Sequence, residues 1–311
     1  MTTYLSRRLL WALLTLFLVV SLSFGLAYLL PADPARMVAG PHASPEVIAR
    51  IRSELRLDQP VSAQYLHYLG QVARGDLGQS FRTHEPVTAA LWRSLPYTAL
   101  LAVGASVVQL VLGLPVGLYA ALRKGRPTDL LAMAVALVGI SAPTFLIGLL
   151  LMVTLGFRMD LFPLGGVGEG VGGLLRSATL PSLTLGIAGA AWYSRLMRGE
   201  FLEVASQDYM RTARAKGLSE WVVVGRHGLR NALVPVITFF GVDLGTLLGG
   251  AVVTETIFAW PGLGKLAIDS VLNQDIPVML GTVLVASAAV VLSNLAVDVV
   301  HSLVDPRIRL S

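Results

Sequence analysis

Residues 206–218 read SQDYMRTARAKGL, a polar and basic run that interrupts an otherwise apolar chain. The loop that contains this run extends from Trp192 to Val236 and lies between two strongly apolar segments. Basic residues accumulate on the cytoplasmic loops of membrane proteins, so we expect this loop on the cytoplasmic side. Because the loop holds no obvious catalytic group, we interpret it as a surface that docks another protein.

The composition is that of a membrane protein. Hydrophobic residues make up 54% of the 311 residues and charged residues 14%, and the mean hydropathy is +0.69. Soluble domains carry roughly 25% charged residues. The chain has no cysteine, which excludes disulfides and thiolate metal sites. The net charge of +5 fits basic cytoplasmic loops, and we expect no nucleic-acid partner.

Six segments predict an all-α polytopic membrane protein with six transmembrane helices. Each approaches or exceeds the roughly 20 residues that a helix needs to cross about 30 Å of hydrocarbon. The segments are Leu9–Leu30, Leu95–Leu122, Leu130–Gly156, Ala178–Leu196, Leu233–Ile257 and Val278–Leu303. The first is longer than the apolar stretch of a signal peptide, and we interpret it as an uncleaved anchor. Pro181, Gly186 and Gly189 interrupt the fourth, which membrane helices tolerate where neighbouring helices re-satisfy the backbone.

The distribution of lysine and arginine predicts the orientation. These residues are concentrated in four short pieces, at 1–8, 123–129, 195–231 and 304–311. They are sparse in the loops 157–177 and 256–277, and the long loop 31–94 has little weight because long loops translocate largely regardless of charge. We therefore expect both termini on the cytoplasmic side of the lipid bilayer.

The chain divides into three predicted parts. Residues 1–30 hold the N-terminal tail and the first span, residues 31–94 an outer helical segment, and residues 95–311 a five-helix core with the docking loop at about 198–231. In the outer segment, Ser44-Pro45-Glu46 has the form of a helix start, and a second helix is expected from about Ser62. We interpret this pair of helices as lying on the outer membrane face; the alternative is a small substrate-recognition domain.

Neither a nucleotide site nor a metal site is predicted on this chain. The glycine-rich loop 157–177 follows no strand and resembles no phosphate-binding motif, so we interpret it as a flexible connector. No Walker A pattern occurs in the sequence. No ligand cluster surrounds His227 or His301 along the chain.

The docking loop is predicted to contain a short helix near Gln207–Lys216 that ends at a glycine, Gly217. Small side chains such as Thr212 and Ala213 suit a helix that enters a cleft, and the basic residues around them suit an acidic rim. The simpler alternative is that the loop is basic only because it is cytoplasmic.

These motifs resemble the permease subunits of ATP-binding-cassette (ABC) importers. The general Glu-Ala-Ala motif of such permeases is matched at Ala213, Gly217 and Leu229. The sequence is much more similar to the dipeptide, oligopeptide and nickel branch, in particular to the first of its two permeases. That similarity covers essentially the whole chain and is carried by LPADP at 30–34, LDQP at 57–60, GDLG at 75–78, DYMRTARAKG at 208–217, HGLRNA at 227–232, TETIFAWPGLG at 254–264 and DPRIR at 305–309. The segment Ala32–Gly40, with the short loop 157–177, is nearer to glutathione and short-peptide systems.

The resemblance implies a mechanism and a set of partners. A second, homologous permease would complete a heterodimer around the pathway, two cytoplasmic ATPases would bind ATP and Mg²⁺, and an extracytoplasmic binding protein would deliver the cargo. This chain would bind no cofactor itself. The coupling helix would contact an ATPase through Gln207, Asp208, Arg211, Thr212, Ala213, Arg214, Ala215, Lys216 and Gly217. The cargo stays open among peptides, glutathione, nickel chelates and oligosaccharides.

Two further features are candidate sites. The loop after the fifth span carries Trp260, Pro261, Gly262, Leu263 and Gly264, which predicts either a rigid re-entry loop or an outer gate that contacts the binding protein.

Asp243 lies mid-way along the fifth span between Gly241 and Gly245. Intramembrane acids usually face the bundle interior or a water-filled path, so Asp243 is predicted either to line the translocation pathway or to bond a neighbouring helix through Thr246 or Ser287. Asp298 and His301 are interpreted as a structural pair near the inner end of the last span.

Two other classes are disfavoured by the sequence. An intramembrane enzyme would require a motif such as His-Glu-x-x-His or Gly-x-Ser-x-Gly, and neither occurs. An ion channel would require a filter sequence or an acidic ring, and neither is visible. A transport permease without an active site of its own is the function that the sequence predicts.

Overall fold

The structure is a computed structural model that describes residues 2–29, 34–40, 42–54 and 56–304, with side chains described for 6–26, 35–36, 38–40, 42–54 and 56–297. Every regular secondary-structure element in these residues is a helix. They are α1 (Thr2–Leu29), α2 (Pro34–Ala39), α3 (Pro45–Glu54), α4 (Val61–Ala73), α5 (Val87–Leu122), α6 (Pro127–Ser141), α7 (Thr144–Leu151), α8 (Gly170–Ala205), α9 (Asp208–Ala215), α10 (Glu220–Val222), α11 (Arg230–Leu248), α12 (Val252–Ile257), α13 (Leu263–Leu272) and α14 (Ile276–Val304). Two π-helical turns, Met152–Arg158 and Val223–Leu229, extend α7 and join α10 to α11.

Several of these helices have the length and composition of membrane spans. Within the described residues, four stretches qualify: Ser6–Leu26, Val87–Leu122, Glu220–Leu248 and Ile276–Val297. The bent pair of α6 and α7, taken with its π-helical turn, adds a fifth if it is one broken span. The prediction of an all-α polytopic membrane protein is therefore confirmed.

The predicted fourth span, Ala178–Leu196, lies inside α8, which is absent from the apolar stretches just named. Small and hydroxyl residues of α8, among them Ser182 and Ser194, are buried against neighbouring helices rather than facing lipid. At a rise of about 1.5 Å per residue, α8 is about 54 Å long, which is enough to cross a bilayer. α8 can be weakly apolar because α5, α6, α7 and α11 cover its surface.

Glycines bring α5 and α8 into close contact. A Cβ atom at Gly113 would lie 2.6 Å from Cβ of Tyr193, and one at Gly117 would overlap the carbonyl oxygen of Ser194. Gly186 of α8 is packed in the same way against α5. Small residues at membrane helix interfaces let the two backbones approach. The α5–α8 pair is accordingly the centre of the bundle.

Two of the predicted spans are not continuous helices. α6 and α7 meet at an angle of 100°, and the break lies at Pro143, whose ring disfavours helix at the preceding residue. The predicted fifth span, Leu233–Ile257, is wrong at its end, because α11 stops at Leu248 and the chain turns into α12. Gly250 makes this turn with a φ of +110°, and a Cβ there would lie 2.8 Å from the backbone nitrogen of Gly264. Both the backbone angle and the close approach require glycine.

The segment 31–94 contains the two helices predicted for it, α3 and α4, and one that was not predicted, α2. The predicted helix start at Ser44 is confirmed, because its Oγ accepts a hydrogen bond from the backbone N–H of Val47 at 3.4 Å. α4 packs on α1 through Tyr65, whose hydroxyl lies 2.5 Å from Oγ of Ser21. α5 begins at Val87 rather than at Leu95, so the end of the predicted outer segment already belongs to the core.

The bundle has two distinct ends, which α8 connects. Near its start, Ala178 packs against Trp260, in the loop between α12 and α13. At its other end, Ala205 is followed at once by α9. We call these the loop end and the α9 end. The loop end also carries the turn 79–86, where Oγ of buried Ser80 donates to buried Asp275 at 2.5 Å.

Candidate functional site

The short helix α9 is seated on its own chain by one apolar face. Met210 and Ala213, three residues apart and therefore on one face, are 0% and 5% exposed and pack against Val223 and Val204. Gly228 makes room for this contact, because a Cβ there would lie 2.8 Å from the Phe201 ring and 3.2 Å from Cε of Met210. The position of α9 is thus fixed by packing on the π-helical turn that leads into α11.

α9 begins and ends close to its predicted bounds. Lys216 caps its C-terminal end, and Gly217 follows with a φ of +76°, a left-handed conformation that glycine adopts at little cost. The N–H of Gly217 donates to the carbonyl oxygen of Arg214 at 2.9 Å. The predicted helix and its glycine stop are therefore confirmed, while the role assigned to them stays a prediction.

The other face of α9 is exposed. Eight of the nine predicted contact residues lie there or beside it, namely Gln207, Asp208, Arg211, Thr212, Arg214, Ala215, Lys216 and Gly217. Arg214 pairs with Glu220 at 2.9 Å, and Arg211 lies 3.6 Å from Asp208. Exposed ion pairs of this kind contribute about 0–1 kcal/mol, so they leave the basic face free to pair with a partner.

Ala213 differs from the prediction. A small residue at this position was expected to enter a cleft of the partner, but the side chain points into its own chain against Val223. The reason is the helical period: Met210 and Ala213 form the inward stripe, and the residues between them point outward. Ala213 therefore seats α9 on its own chain, and its contact with an ATPase stays a prediction.

Sequence reasoning missed Trp221, a residue of α10 that is 85% exposed. It stands near Leu218, which is 40% exposed, on the same connection between α9 and α11. Tryptophan is enriched at protein interfaces, so its presence in the basic loop is a signal that the sequence offered. The exposed surface at this end of the bundle combines cationic side chains with the aromatic rings of Trp221 and Tyr209.

An ion pair that sequence reasoning also missed fastens the α9 end. Nε and Nη2 of Arg198 donate to the two carboxylate oxygens of Asp129 at 2.6 and 2.8 Å. Asp129 is 1% exposed and also accepts from the backbone N–H of Gly125 at 2.9 Å. This bidentate contact ties the start of α6 to the last turns of α8, beside the point where α9 begins.

At the loop end, the segment 260–264 is packed rather than open. Trp260 is 0% exposed, its indole N–H donates to the carbonyl oxygen of Tyr97 at 3.0 Å, and the two rings meet edge to face at 5.7 Å. Gly262, Leu263 and Gly264 are buried as well, and Pro261 alone of the five is exposed. This burial supports the rigid re-entry loop, and the contact with a binding protein stays a prediction.

Glu255, which was not singled out from the sequence, organises this loop. Its fully buried carboxylate accepts hydrogen bonds from the hydroxyl of Thr98 and from the backbone N–H of Lys265, both at 2.9 Å. The same Thr98 hydroxyl accepts from the N–H of Leu263 at 2.7 Å. A Cβ at Gly262 would lie 2.5 Å from the carboxylate, so glycine is required for this approach. The carboxylate thereby holds the start of α13 against α5.

The glycine-rich loop is tied to the same place. Gly166 donates its N–H to the carbonyl oxygen of Phe258 at 2.8 Å, and a Cβ at Gly165 would lie 2.8 Å from that oxygen. Residues from Gly170 onward already belong to α8. The loop predicted to be a flexible connector is therefore shorter than expected and packs on the residues before Trp260.

Asp243 is half-buried and has a partner on another helix. Its carboxylate accepts a hydrogen bond from the hydroxyl of Tyr193 at 3.1 Å, so neither Thr246 nor Ser287 is the side-chain partner. Gly241 and Gly245, on either side of Asp243, face α14. A Cβ at Gly245 would lie 2.9 Å from Cβ of Ser293 in that helix. The glycines serve helix packing and do not open a space beside the acid. The other predicted acid, Asp298, and His301 lie outside the described side chains.

The Tyr193 contact leads to a prediction about stability. Asp243→Ala is expected to leave the buried Tyr193 hydroxyl without its acceptor and to lower the stability of the permease by about 1–3 kcal/mol. Asp243→Asn retains an oxygen that accepts the same bond and is expected to stay within about 1 kcal/mol of the wild type. Thermal unfolding in detergent measures both changes. Equal losses in the two variants would contradict a hydrogen-bonding role.

Comparison with protein families identifies the class to which this architecture belongs. Residues 113–310 match the model described as binding-protein-dependent transport system inner membrane component, and residues 1–102 match the N-terminal model of the same system. The chain belongs to this family. It is a multi-pass inner-membrane permease component of a binding-protein-dependent ABC importer.

Relatives and solved structures narrow the similarity further. The chain is 44% identical over 309 residues to the glutathione transport system permease protein GsiC of Salmonella typhimurium and 42% identical to that of Escherichia coli K12, with 99% of each chain covered. It resembles a chain of the inward-facing MetNI methionine ABC transporter with a TM-score of 0.59 at 20% identity, covering 70% of this chain and 97% of the other. A chain of an amino acid ABC transporter with histidines gives a TM-score of 0.51 at 16% identity, covering 71% and 94%. These two likenesses concern the fold alone.

Proposed function

We propose that this chain is the first of two homologous permeases in an importer for glutathione or similar short peptides. The full-length similarity to permeases named for glutathione transport supports this cargo class. Dipeptides and oligopeptides stay within the proposal, and nickel chelates or oligosaccharides are the less favoured cargo. A second permease would complete the pathway, two ATPases carrying ATP and Mg²⁺ would drive it, and a binding protein would deliver the cargo.

The exposed face of α9 is the observation that carries the proposal. A rigidly seated helix that exposes Arg211, Thr212 and Lys216 is suited to sit in a cleft of a cytoplasmic ATPase. Its inward residues Met210 and Ala213 would transmit a push on α9 to α8 and to the π-helical turn before α11. Motion at the ATPases would in this way reach α11, the span that contains Asp243.

Reconstituted uptake tests the proposal. We expect vesicles containing both permeases, the ATPases and the binding protein to accumulate labelled glutathione only with ATP and the binding protein. An excess of unlabelled dipeptide measures how far the cargo class extends. Accumulation that needs no ATP would contradict the transporter mechanism and indicate a channel. ATP-dependent uptake of dipeptide but not of glutathione would retain the mechanism and overturn the cargo.

The orientation is a further prediction. The chain has no cysteine, so single cysteines at Ala43 and at Ser219 are unique labels. We expect a membrane-impermeant thiol reagent to label Ala43→Cys from outside the cell and Ser219→Cys only from the cytoplasmic side, because basic residues are concentrated near Ser219. Labelling of Ser219→Cys in intact cells would place α9 on the side opposite to the ATPases.

A further inference from the structure

A cleft of about 400 Å³ opens at the loop end, between α1, α4, the loop 77–84 and the start of α14. This size lies within the roughly 300–1,000 Å³ of small-molecule sites. Phe24, Phe81 and Leu280 give the cleft an aromatic and apolar wall. Its polar lining residues include Glu54, Arg56, His67, Tyr68, Ser80 and His84. The cleft shares no residue with α9 or with the loop 260–264, so neither explains it.

One guanidinium and one carboxylate are among the described lining residues of this cleft, and they do not pair with each other. Nη1 of Arg56 lies 3.4 Å from Nδ1 of His67, and no carboxylate among the described residues pairs with this guanidinium. Glu54 is the one acid among the described lining residues, and its carboxylate accepts from Nε of Arg50 at 2.8 Å. Arg56 is exposed, so its guanidinium can be reached from solvent, and its planar fork matches the carboxylate of an anionic ligand.

Backbone strain occurs at two of the residues that line the cleft. Arg56 and His84 have φ angles of +57° and +56°, in the left-handed region that non-glycine residues rarely adopt. His84 is kept there by a hydrogen bond from its N–H to the carbonyl oxygen of Ser80 at 3.1 Å, and Ser80 is in turn anchored on Asp275. Strain at such positions persists where the surrounding structure fixes it, and it clusters at ligand sites.

From this cleft we infer a ligand site, apart from α9 and the loop 260–264, that binds a carboxylate-bearing solute of the size of a di- or tripeptide. The guanidinium of Arg56 and the imidazole of His84 receive the carboxylate, and the aromatic wall contacts the apolar part of the solute. Burial raises the pKa of the Tyr68 hydroxyl to about 12, so at neutral pH this group remains a hydrogen-bond donor inside the cleft. The site requires neither ATP hydrolysis nor the binding protein.

The test measures binding by the full chain in lipid nanodiscs, without ATPases or binding protein. Two probes that differ only in the carboxylate are compared, glycylphenylalanine and glycylphenylalanine amide. We expect saturable binding of the acid, and binding of the amide weaker by at least about tenfold because it cannot pair with the guanidinium. Arg56→Gln is expected to weaken binding of the acid by a similar factor, with Arg56→Lys intermediate. Arg74→Gln, on an exposed arginine outside the cleft, is the matched control and is expected to bind like the wild type.

A fourth variant separates binding from folding. Arg56→Gly removes the guanidinium and also relieves the positive φ, so it is expected to lose binding while melting no lower than the wild type. The inference is overturned if the wild type shows no saturable binding, if acid and amide bind equally, or if Arg56→Gln binds like the wild type. None of these outcomes bears on ATP-dependent uptake by the assembled importer, which tests the proposed function on its own.

Discussion

Replacing Asp129 with alanine is expected to lower the stability of the permease by about 3 kcal/mol. The change leaves the guanidinium of Arg198 without its bidentate partner in a mostly covered position, and breaking a buried pair from one side costs about 3–5 kcal/mol. Because Arg198 retains 27% side-chain exposure, the lower end of that range applies. Thermal unfolding of the purified chain in one detergent measures the loss.

The double variant is the control for this expectation. Asp129→Ala combined with Arg198→Met removes both charges and is expected to recover part of the lost stability, because no unpaired charge remains. Uptake in reconstituted vesicles is expected to follow stability in the same order. If the single and the double variant are equally unstable, the pair contributes packing alone and does not fasten α6 to α8 by charge.

Gly228→Leu is expected to unseat α9 and to reduce ATP-dependent uptake by at least about tenfold. Its side chain would occupy the space of the Phe201 ring and of Met210, an overpacking fault that costs about 1–3 kcal/mol. The ATPases are expected to remain able to hydrolyse ATP, because the change lies behind α9 and not on its exposed face. The measurement is uptake per ATP hydrolysed in vesicles.

Gly225 provides a matched control three residues away. It lies in the same π-helical turn, and a Cβ there would meet nothing within 4 Å. Gly225→Leu gains the same helix propensity as Gly228→Leu, and it is expected to transport at close to the wild-type rate. Equal losses at both positions would mean that the turn itself, and not the seat of α9, limits transport.

The membrane class, α9 and its glycine stop were predictable because each follows from local sequence. A run of about 20 apolar residues predicts a span wherever it occurs, and Gly217 ends a helix through its own backbone freedom. The direction in which Ala213 points was not predictable, because it depends on which face of α9 meets Val223. The break after Leu248 was missed for a related reason: Val252–Ile257 is as apolar as the helix before it.

The polar contacts that hold the bundle were beyond local reasoning. Asp129 and Arg198 are far apart in sequence, and so are Glu255 and Thr98, so nothing in the chain alone indicates that they meet. Asp243 was identified as unusual because an intramembrane acid is costly wherever it lies. Its partner Tyr193 depends on the packing of α8 against α11, which the sequence does not specify locally.

Cross-linking from α9 tests the central claim, that its exposed face contacts an ATPase. Three single-cysteine variants of this cysteine-free chain are each assembled into the importer and treated with a short thiol-to-amine cross-linker. We predict that Thr212→Cys, on the exposed face, forms a product with the ATPase subunit, whereas Ala213→Cys, which is buried, and Thr83→Cys, at the loop end, form none. An ATPase product from Thr83→Cys, or none from Thr212→Cys, would contradict the assignment of α9 as the coupling helix.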